Sequence, residues 1–292
     1  MGIRGISLGI DAIEAGPPPA AFLSRLAEIR SWGYDAVEPL IGLPDAGVIG
    51  ELGPMLARAG LSLSGFRTGA LYGVHGYSFC DPDPSIRRAA VEAVKAVIRE
   101  TARFPDARVF NGMIQGRPKP GVGIEEARGR CEEALKECVR EAERFRVGFC
   151  LEPLNRYELP YHNTVAEVAD LARRIGSPRF SILIDTFHMN IEEGDLCAAI
   201  REHASLIGGV HFIDSTRREP GSGHLDLRAV YAALREIGYS GYVTVETDRP
   251  PDRDAISRKT AAFLKGLPTT LPAASGFLRV PLAVESERED AP

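Results

Sequence analysis

The sequence predicts a single-domain (β/α)₈ TIM barrel of the α/β class. Short apolar runs alternate with longer amphipathic stretches along the 292 residues, a rhythm typical of repeated β-α units around a parallel sheet. Most of these runs are apolar on both faces, as strands buried on both sides of a sheet are. A doubly wound open sheet is the weaker alternative, because the glycine-rich phosphate turn usual after its first strand is absent.

The runs predicted to be strands are short and rich in Val, Ile, Leu and Phe, and turn-forming residues separate them. Their number, in strict alternation with eight predicted helices, is that of a closed eight-stranded barrel. In chain order they are Arg4–Ile10, Ala36–Pro39, Ser62–Phe66, Arg108–Asn111, Gly148–Leu151, Ser181–Ile184, Gly208–Phe212 and Tyr242–Glu246.

The stretches between the strands have the apolar periodicity and the end residues of helices. The acidic capping sequence Asp81-Pro82-Asp83-Pro84 precedes one of them, and Gly60 and Gly176 follow two others at the position of a C-terminal stop. In chain order the predicted helices are Pro19–Ser31, Gly50–Ala59, Ser85–Ala102, Ile124–Phe145, Thr164–Ile175, Leu196–His203, Leu227–Ile237 and Asp254–Leu264.

Three segments are longer than a simple connector. Gly69–Pro84 and Gly112–Gly123 follow the third and fourth strands, so we expect both to lie over the C-terminal mouth, where TIM barrels keep their active sites. The last segment, Pro268–Pro292, is rich in proline and then acidic, and it follows the last predicted helix. We therefore expect a catalytic barrel over residues 1–267 and a C-terminal extension over residues 268–292.

The composition argues against several classes of protein. Net charge is −5 and the sequence pI is about 5.8, so a basic nucleic-acid groove has no support. The five cysteines are scattered without a Cys-x-x-Cys pair, which fits a reducing cytoplasm better than a disulfide framework. The N-terminal segment lacks the apolar stretch of a signal peptide, and no run of about 18 apolar residues exists to span a membrane. We expect a cytoplasmic protein.

Four consecutive strands each end on a residue that can bind a metal ion. Glu152 ends the fifth strand, Asp185 the sixth, His211 the seventh and Glu246 the eighth. Neighbours in this set are about 30 residues apart, the length of one β-α unit, so a barrel brings all four to one level of its mouth. Any one of them alone would be an ordinary helix cap or core residue, whereas the set of four converges on one point.

Three carboxylates and one imidazole at the same mouth require a cation. The negative charges would repel one another strongly, and burying each of them unpaired would cost on the order of several kcal/mol. Oxygen ligands with one nitrogen suit a hard or borderline divalent ion. We therefore expect Mn²⁺ or Mg²⁺ first, with Co²⁺ as an alternative and Zn²⁺ disfavoured.

Polar residues just beyond the ligand strands are candidates for substrate contact. Glu158, His188 and Arg217 follow the fifth, sixth and seventh strands, and we expect them to face a small-molecule substrate. Glu38 ends the second strand, and it either touches the substrate or orients one of the metal ligands from behind.

The segments around these residues resemble a known superfamily, the xylose-isomerase-like barrels of sugar isomerases and epimerases. The match covers about Gly148–Glu246 and rests on the segments LEPLNRYE, LIDTFHMNIEE, GGVHFIDSTRREPGSGHLD and LREIGYSGYVTVE. Within the superfamily the similarity is greatest to the ketose 3-epimerases, the D-tagatose 3-epimerase and D-psicose (allulose) 3-epimerase group. The run IDTFHMNIEE is its most specific piece.

The resemblance implies a metal-dependent ketose 3-epimerase that interconverts C3 epimers of a free ketose through a cis-enediolate. The four strand-end residues would hold the metal, and Glu152 and Glu246 would also be the acid–base pair on opposite faces of the sugar. Glu158, His188 and Arg217 would bind its O1 to O3 end. Because relatives are commonly dimers or tetramers, a homodimer or homotetramer is expected.

One departure from the resemblance concerns the far end of the substrate pocket. Ketose 3-epimerases line that end with aromatic side chains, whereas here the first strand ends in SLGID, and Asp248 and Arg249 follow the last ligand. A more polar pocket would suit a different or phosphorylated sugar. The alternatives on the same scaffold are a sugar, sugar-phosphate or hydroxypyruvate isomerase and an inosose-type dehydratase.

Two more distant classes are disfavoured. A DNA-repair endonuclease of the same superfamily uses a three-zinc cluster with many histidines and a basic groove, but this acidic chain has six histidines. A non-catalytic binding barrel would have no use for two opposed glutamates at its mouth.

Overall fold

The computed structural model describes residues 2–11, 19–247 and 251–268. Within this part of the chain, nine parallel strand segments form a single sheet in the order β3-β2-β1-β9-β8-β7-β6-β5-β4. The segments are β1 (Gly5–Ile10), β2 (Ala36–Pro39), β3 (Ser62–Leu63), β4 (Gly65–Arg67), β5 (Arg108–Asn111), β6 (Gly148–Leu151), β7 (Phe180–Asp185), β8 (Ile207–His211) and β9 (Tyr242–Val245).

The sheet closes on itself through the third predicted strand, which is divided at Ser64 into β3 and β4. The Ser64 N–H donates to Val37 O of β2 at 3.0 Å, and Ser64 O accepts from the Arg108 N–H of β5 at 3.1 Å. β3 and β4 are therefore one barrel strand with an irregular centre. The predicted single-domain (β/α)₈ TIM barrel is confirmed, and the open doubly wound sheet is wrong.

Helices surround this barrel in strict alternation with its strands, and the predicted eight are all present within the described residues. Two further short helices, Gly69–Gly73 and Thr186–Glu192, follow the third and sixth barrel strands. The helices are α1 (Pro19–Trp32), α2 (Ala46–Ala59), α3 (Gly69–Gly73), α4 (Pro84–Thr101), α5 (Ile124–Phe145), α6 (Val165–Ile175), α7 (Thr186–Glu192), α8 (Leu196–Glu202), α9 (Leu227–Glu236) and α10 (Arg253–Lys265).

Side-chain caps explain where the structure departs from the predicted helix bounds. The second helix begins at Ala46 instead of the predicted Gly50, because the Asp45 carboxylate accepts hydrogen bonds from two N–H groups of its first turn. The unpredicted α7 begins directly after β7, where Asp185 accepts from the Phe187 N–H at 2.7 Å. A strand therefore passes into a helix with no connector, and one carboxylate both ends the strand and caps the helix.

An apolar plug fills the barrel axis beneath the mouth. Phe110, Cys150 and Leu183 form a buried cluster separate from the main core between sheet and helices. Gly209 of β8 gives the Phe110 ring its room, because a Cβ at that position would lie 2.6 Å from Phe110 Cε1. The plug ends at the ring of His211, whose centroid is 6.1 Å from that of Phe110. Polar side chains above it thus stand on a rigid apolar floor.

The predicted C-terminal extension begins at Pro268, the last described residue of the chain. Its carbonyl oxygen accepts a hydrogen bond from Arg235 Nη1 of α9 at 2.6 Å. Residues 269–292 of the predicted extension lie outside the described residues. Among the helices that the structure describes, none is long and apolar enough to cross a membrane.

Candidate active site

The carboxyl ends of β6, β7, β8 and β9 bring four side chains together at the mouth of the barrel. Glu152, Asp185, His211 and Glu246 each present one ligand atom, and these atoms all lie within 4.8 Å of one another. His211 Nδ1 is 2.8 Å from Glu246 Oε2, 3.4 Å from Glu152 Oε1 and 3.9 Å from Asp185 Oδ2. The convergence expected from the strand spacing is therefore present in the structure.

Glu38 of β2 fixes the orientation of the His211 ring. Its Oε1 accepts a hydrogen bond from His211 Nε2 at 2.7 Å, and its Oε2 accepts from Thr244 Oγ1 at 2.8 Å. Because a carboxylate only accepts, Nε2 carries a proton, and Nδ1 is the ring nitrogen that faces Glu152, Asp185 and Glu246. Of the two roles that the sequence leaves open for Glu38, these contacts favour the second, because Glu38 holds the His211 ring from behind.

The centre of the cluster contains buried polar atoms that have no hydrogen-bond partner among the described residues: Glu152 Oε1, Asp185 Oδ2 and His211 Nδ1. Lone pairs that face one another at these distances repel unless a proton or a cation lies between them. Burial lowers the pKa of His211, but the Glu246 and Glu38 carboxylates outweigh it and raise that pKa well above its ordinary value. Oxygens from three carboxylates with one imidazole nitrogen fit a divalent cation at this point.

Glu152 and Glu246 occupy unlike environments. Burial raises the pKa of Glu152. Burial also acts to raise the pKa of Glu246, but His211 and Arg67 outweigh it and hold that pKa well below its ordinary value. Arg67 of β4 pairs with Glu246 Oε1 and donates a hydrogen bond to Ile10 O at 2.8 Å. The sequence pattern does not single out Arg67, although its place at the end of the third barrel strand is a clue.

Gly112 leaves the room that the Glu152 carboxylate occupies, because a Cβ at residue 112 would lie 2.4 Å from Glu152 Oε2. We expect Gly112→Ala to push this carboxylate away from the other ligands and to weaken Mn²⁺ binding by about tenfold or more, measured by isothermal titration calorimetry. Gly123→Ala is the matched control, since a Cβ there meets nothing within 4 Å. Equal Mn²⁺ affinities for both variants would contradict the prediction.

A cavity of about 230 Å³ opens beside the cluster, a size that suits a small molecule. Its floor and walls include Leu40, Phe110 and Leu183, and the loops after β4 and β5 contribute Gly69 and Gly112. The two long loops therefore border the mouth, as expected. The polar side chains that line the cavity outside the four-residue cluster are Arg67, Glu158, His188 and Arg217.

The three residues predicted to contact substrate thus share one cavity. His188 Nδ1 accepts hydrogen bonds from the main-chain and side-chain N–H groups of Asn155 at 3.3 and 2.8 Å, so Nε2 carries the ring proton. Arg217 stacks over the Phe187 ring, with its guanidinium carbon 4.5 Å from the ring centroid, and its Nη1 lies 3.8 Å from Glu158 Oε1. The structure therefore offers donors and acceptors suited to hydroxyl groups. Asp248 and Arg249, expected at the far end, lie outside the described residues.

A larger cavity, of about 340 Å³, lies at the opposite end of the barrel, where the strands begin. Its lining includes Arg4, Arg108 and Tyr242, and the carboxylate of Asp106 there is paired with Arg4 at 2.9 Å. None of the four clustered ligand residues reaches this cavity. Because TIM-barrel chemistry is placed at the C-terminal mouth, the smaller cavity beside the four ligands is the candidate active site.

Comparison with known proteins places this geometry in a family. Residues 26–267 match the family model described as xylose isomerase-like TIM barrel. A D-psicose 3-epimerase of Enterocloster bolteae is 40% identical over 173 residues, which cover 58% of this chain and 57% of that protein. An L-ribulose 3-epimerase of Mesorhizobium japonicum is 30% identical over 244 residues, 82% of this chain and 80% of that protein.

The same similarity appears among solved structures. The 3-keto-D-glucoside 4-epimerase of E. coli superposes with a TM-score of 0.74 at 25% identity, over 89% of this chain and 99% of that one. The chain spans 35% to 57% of the length of three D-psicose 3-epimerases that it matches. The family model and the L-ribulose 3-epimerase extend over most of the barrel, and the resemblance noted in the sequence is confirmed. The chain belongs to the xylose isomerase-like TIM barrel family.

Proposed function

We propose that this chain is a metal-dependent ketose 3-epimerase that interconverts C3 epimers of a free ketose through a cis-enediolate. The observation that supports this most is a pair of carboxylates, Glu152 and Glu246, which border one cavity from strands separated by β7 and β8. Inversion at carbon needs one group to remove a proton from one face and another to return it to the opposite face. The relatives named above, 3-epimerases and a 4-epimerase, support the same type of reaction.

In this proposal the four clustered residues have two kinds of role. Asp185 and His211 act as metal ligands alone, whereas Glu152 and Glu246 are ligands that also exchange the C3 proton. One glutamate removes the proton and the other donates one, and their roles reverse with the direction of the reaction. A divalent cation bound by the four would supply the positive charge that acidifies the C3–H bond and stabilises the enediolate.

The other polar side chains of the cavity would bind and orient the sugar. His188 donates from Nε2, Arg217 donates from its guanidinium and Glu158 accepts, a set that suits the hydroxyl and carbonyl groups at the O1 to O3 end. Holding that end in place would keep C3 between the two glutamates, and proximity of this kind contributes strongly to rate.

The proposal extends to the metal and the assembly. We propose Mn²⁺ as the resident ion, with Mg²⁺ or Co²⁺ as alternatives, because the donor set is rich in oxygen. We also propose a cytoplasmic homodimer or homotetramer. Sedimentation velocity of the purified protein measures the assembly, and elemental analysis of protein purified without added metal identifies the ion.

Proton exchange in D₂O tests the reaction. We would incubate Mn²⁺-loaded protein with D-psicose, L-ribulose, D-tagatose and a 3-keto-D-glucoside and follow the products by NMR. Deuterium at C3 of a ketose with inversion supports the proposal, and chelation with EDTA should abolish it until Mn²⁺ is restored. Deuterium only at C1 or C2 would indicate an aldose–ketose isomerase instead. Inversion only at C4 of the keto-glucoside would indicate a 4-epimerase, and loss of water would indicate a dehydratase.

A further inference from the structure

A buried chain of hydrogen bonds runs behind the main chain of Glu152. Gln115 Nε2 donates to the Glu152 carbonyl oxygen at 3.0 Å, and Gln115 Oε1 lies 2.8 Å from His162 Nδ1. Gln115 is fully buried and His162 is 3% exposed. Neither side chain lines the substrate cavity, so neither touches a sugar bound there.

The direction of each hydrogen bond follows from the carbonyl group at the inner end. The Glu152 carbonyl oxygen only accepts, so the NH₂ group of Gln115 must face it and the amide oxygen must face His162. The opposite orientation of the amide would place two oxygens 3.0 Å apart without a proton between them. His162 Nδ1 therefore carries a proton and donates it to Gln115.

Charged residues of two helices hold the outer nitrogen of His162. Nε2 lies 3.4 Å from Glu132 Oε1 on α5, and the same oxygen is 2.9 Å from Arg174 Nη2 on α6 and 3.4 Å from Arg128 Nε. The hydrogen bond from His162 lowers the pKa of Glu132 to about 2, with help from Arg174 and against the effect of burial. Glu132 is therefore an ionised carboxylate at neutral pH. Both ring nitrogens of His162 face acceptors, Gln115 Oε1 and Glu132 Oε1, so both act as donors and the ring is anchored to the helix layer.

Main-chain hydrogen bonds also hold the segments around His162 and Glu152. His162 has a φ angle of 53°, in the left-handed region that is uncommon for residues other than glycine, and its carbonyl oxygen accepts from the Leu154 N–H at 3.2 Å. The Glu152 N–H donates to Asn111 O at 2.9 Å. The Glu152 residue is thus held by Asn111 at its nitrogen and by Gln115 at its carbonyl oxygen.

We propose that His162 is a positioning residue that acts through Gln115 on Glu152. Its imidazole, anchored on Glu132, fixes the Gln115 amide, and the amide fixes the carbonyl group of the residue whose side chain faces the other three ligands. The direction of the Glu152 Cα–Cβ bond, and hence the place of its carboxylate, depends on that peptide. The expected effect on metal affinity follows from the position of the four clustered residues. The expected effect on turnover rests on the proposed function.

The test removes the hydrogen-bonding group of Gln115 or of His162. We expect Gln115→Met and His162→Leu each to lower both kcat and the Mn²⁺ affinity by about 10- to 100-fold, the range found for residues that orient metal ligands, while KM changes by less than about threefold. His162→Asn should restore both within about threefold, because its side-chain NH₂ replaces Nδ1 as the donor and asparagine tolerates positive φ. Tyr34→Phe is the control for stability alone, since it deletes a buried hydrogen bond to Ser257 O far from the mouth.

A double variant separates positioning from simple loss of stability. If His162 acts through Gln115, adding His162→Leu to Gln115→Met causes no further loss of Mn²⁺ affinity, because the link is already broken. The proposal is overturned if the two losses are additive, or if His162→Leu behaves like Tyr34→Phe, with a lower melting temperature but unchanged kcat and Mn²⁺ affinity. Calorimetric Mn²⁺ binding does not depend on the substrate. Failure of every ketose to react would therefore overturn the proposed function, whereas the Mn²⁺ affinities of the variants would still test the positioning role.

Discussion

Replacing Glu246 by glutamine should reduce epimerisation by a factor on the order of 10³, within the range that general acid–base catalysis contributes. The amide oxygen still reaches the metal position, so Mn²⁺ binding should be weakened far less than turnover. In the proposed mechanism the amide cannot accept the C3 proton, so one face of the sugar would lose its base. One epimer should then still exchange its C3 hydrogen with D₂O through Glu152, without forming the other epimer. Glu152→Gln should show the same behaviour for the opposite epimer.

NMR exchange assays on each pure epimer measure this asymmetry directly. Glu236→Gln is the matched control, because it makes the same change in an exposed salt bridge with Arg201 on the outside of the barrel. Full turnover in Glu246→Gln would rule out the two-base mechanism. Equal loss of exchange from both epimers would assign Glu246 a role in metal binding alone. Neither result bears on the barrel or on the four-residue cluster, because both are observed directly in the structure.

The sequence could predict the barrel and the convergence of its four candidate ligands because both depend on local pattern. Each ligand ends an apolar run, and in a parallel sheet the carboxyl ends of neighbouring strands meet at one edge. Knowing that Asp185 ends β7 and His211 ends β8 is then enough to place them side by side, as the register of that strand pair shows. No long-range information is needed beyond the order of the strands.

The sequence could not predict side chains that reach the site across several strands. Arg67 lies on β4, whereas Glu246 follows β9, and the two side chains form an ion pair across the barrel mouth. The Arg67 guanidinium occupies space left by Gly9, where a Cβ would lie 3.1 Å from Nη2. Gln115 and His162 meet only because two loops fold against each other behind β6. An arginine after a strand or a histidine in a loop has no pattern of its own, so three-dimensional contact is needed to find it.

Replacing Glu38 by glutamine should weaken Mn²⁺ binding by about 10- to 100-fold, because partners that orient a metal-bound histidine contribute on that scale. Glu38 is fully buried, and its charge faces His211 Nε2. A glutamine keeps the shape and can still accept the hydrogen bond from Nε2. It lacks the negative charge that makes the imidazole a better electron-pair donor at Nδ1. Calorimetric titration with Mn²⁺ measures the loss, and circular dichroism checks that the barrel is intact.

Thr244→Val is the matched control for Glu38→Gln. It removes the hydrogen bond from Thr244 Oγ1 to Glu38 Oε2 but keeps the carboxylate and its contact with His211. If charge on Glu38 is what matters, the valine variant loses much less affinity than the glutamine variant. If geometry alone matters, the ranking reverses, because glutamine preserves the contact with His211 while loss of the threonine frees the carboxylate to rotate. The comparison therefore decides whether β2 contributes electrostatics or only orientation to ligands that lie on β6 to β9.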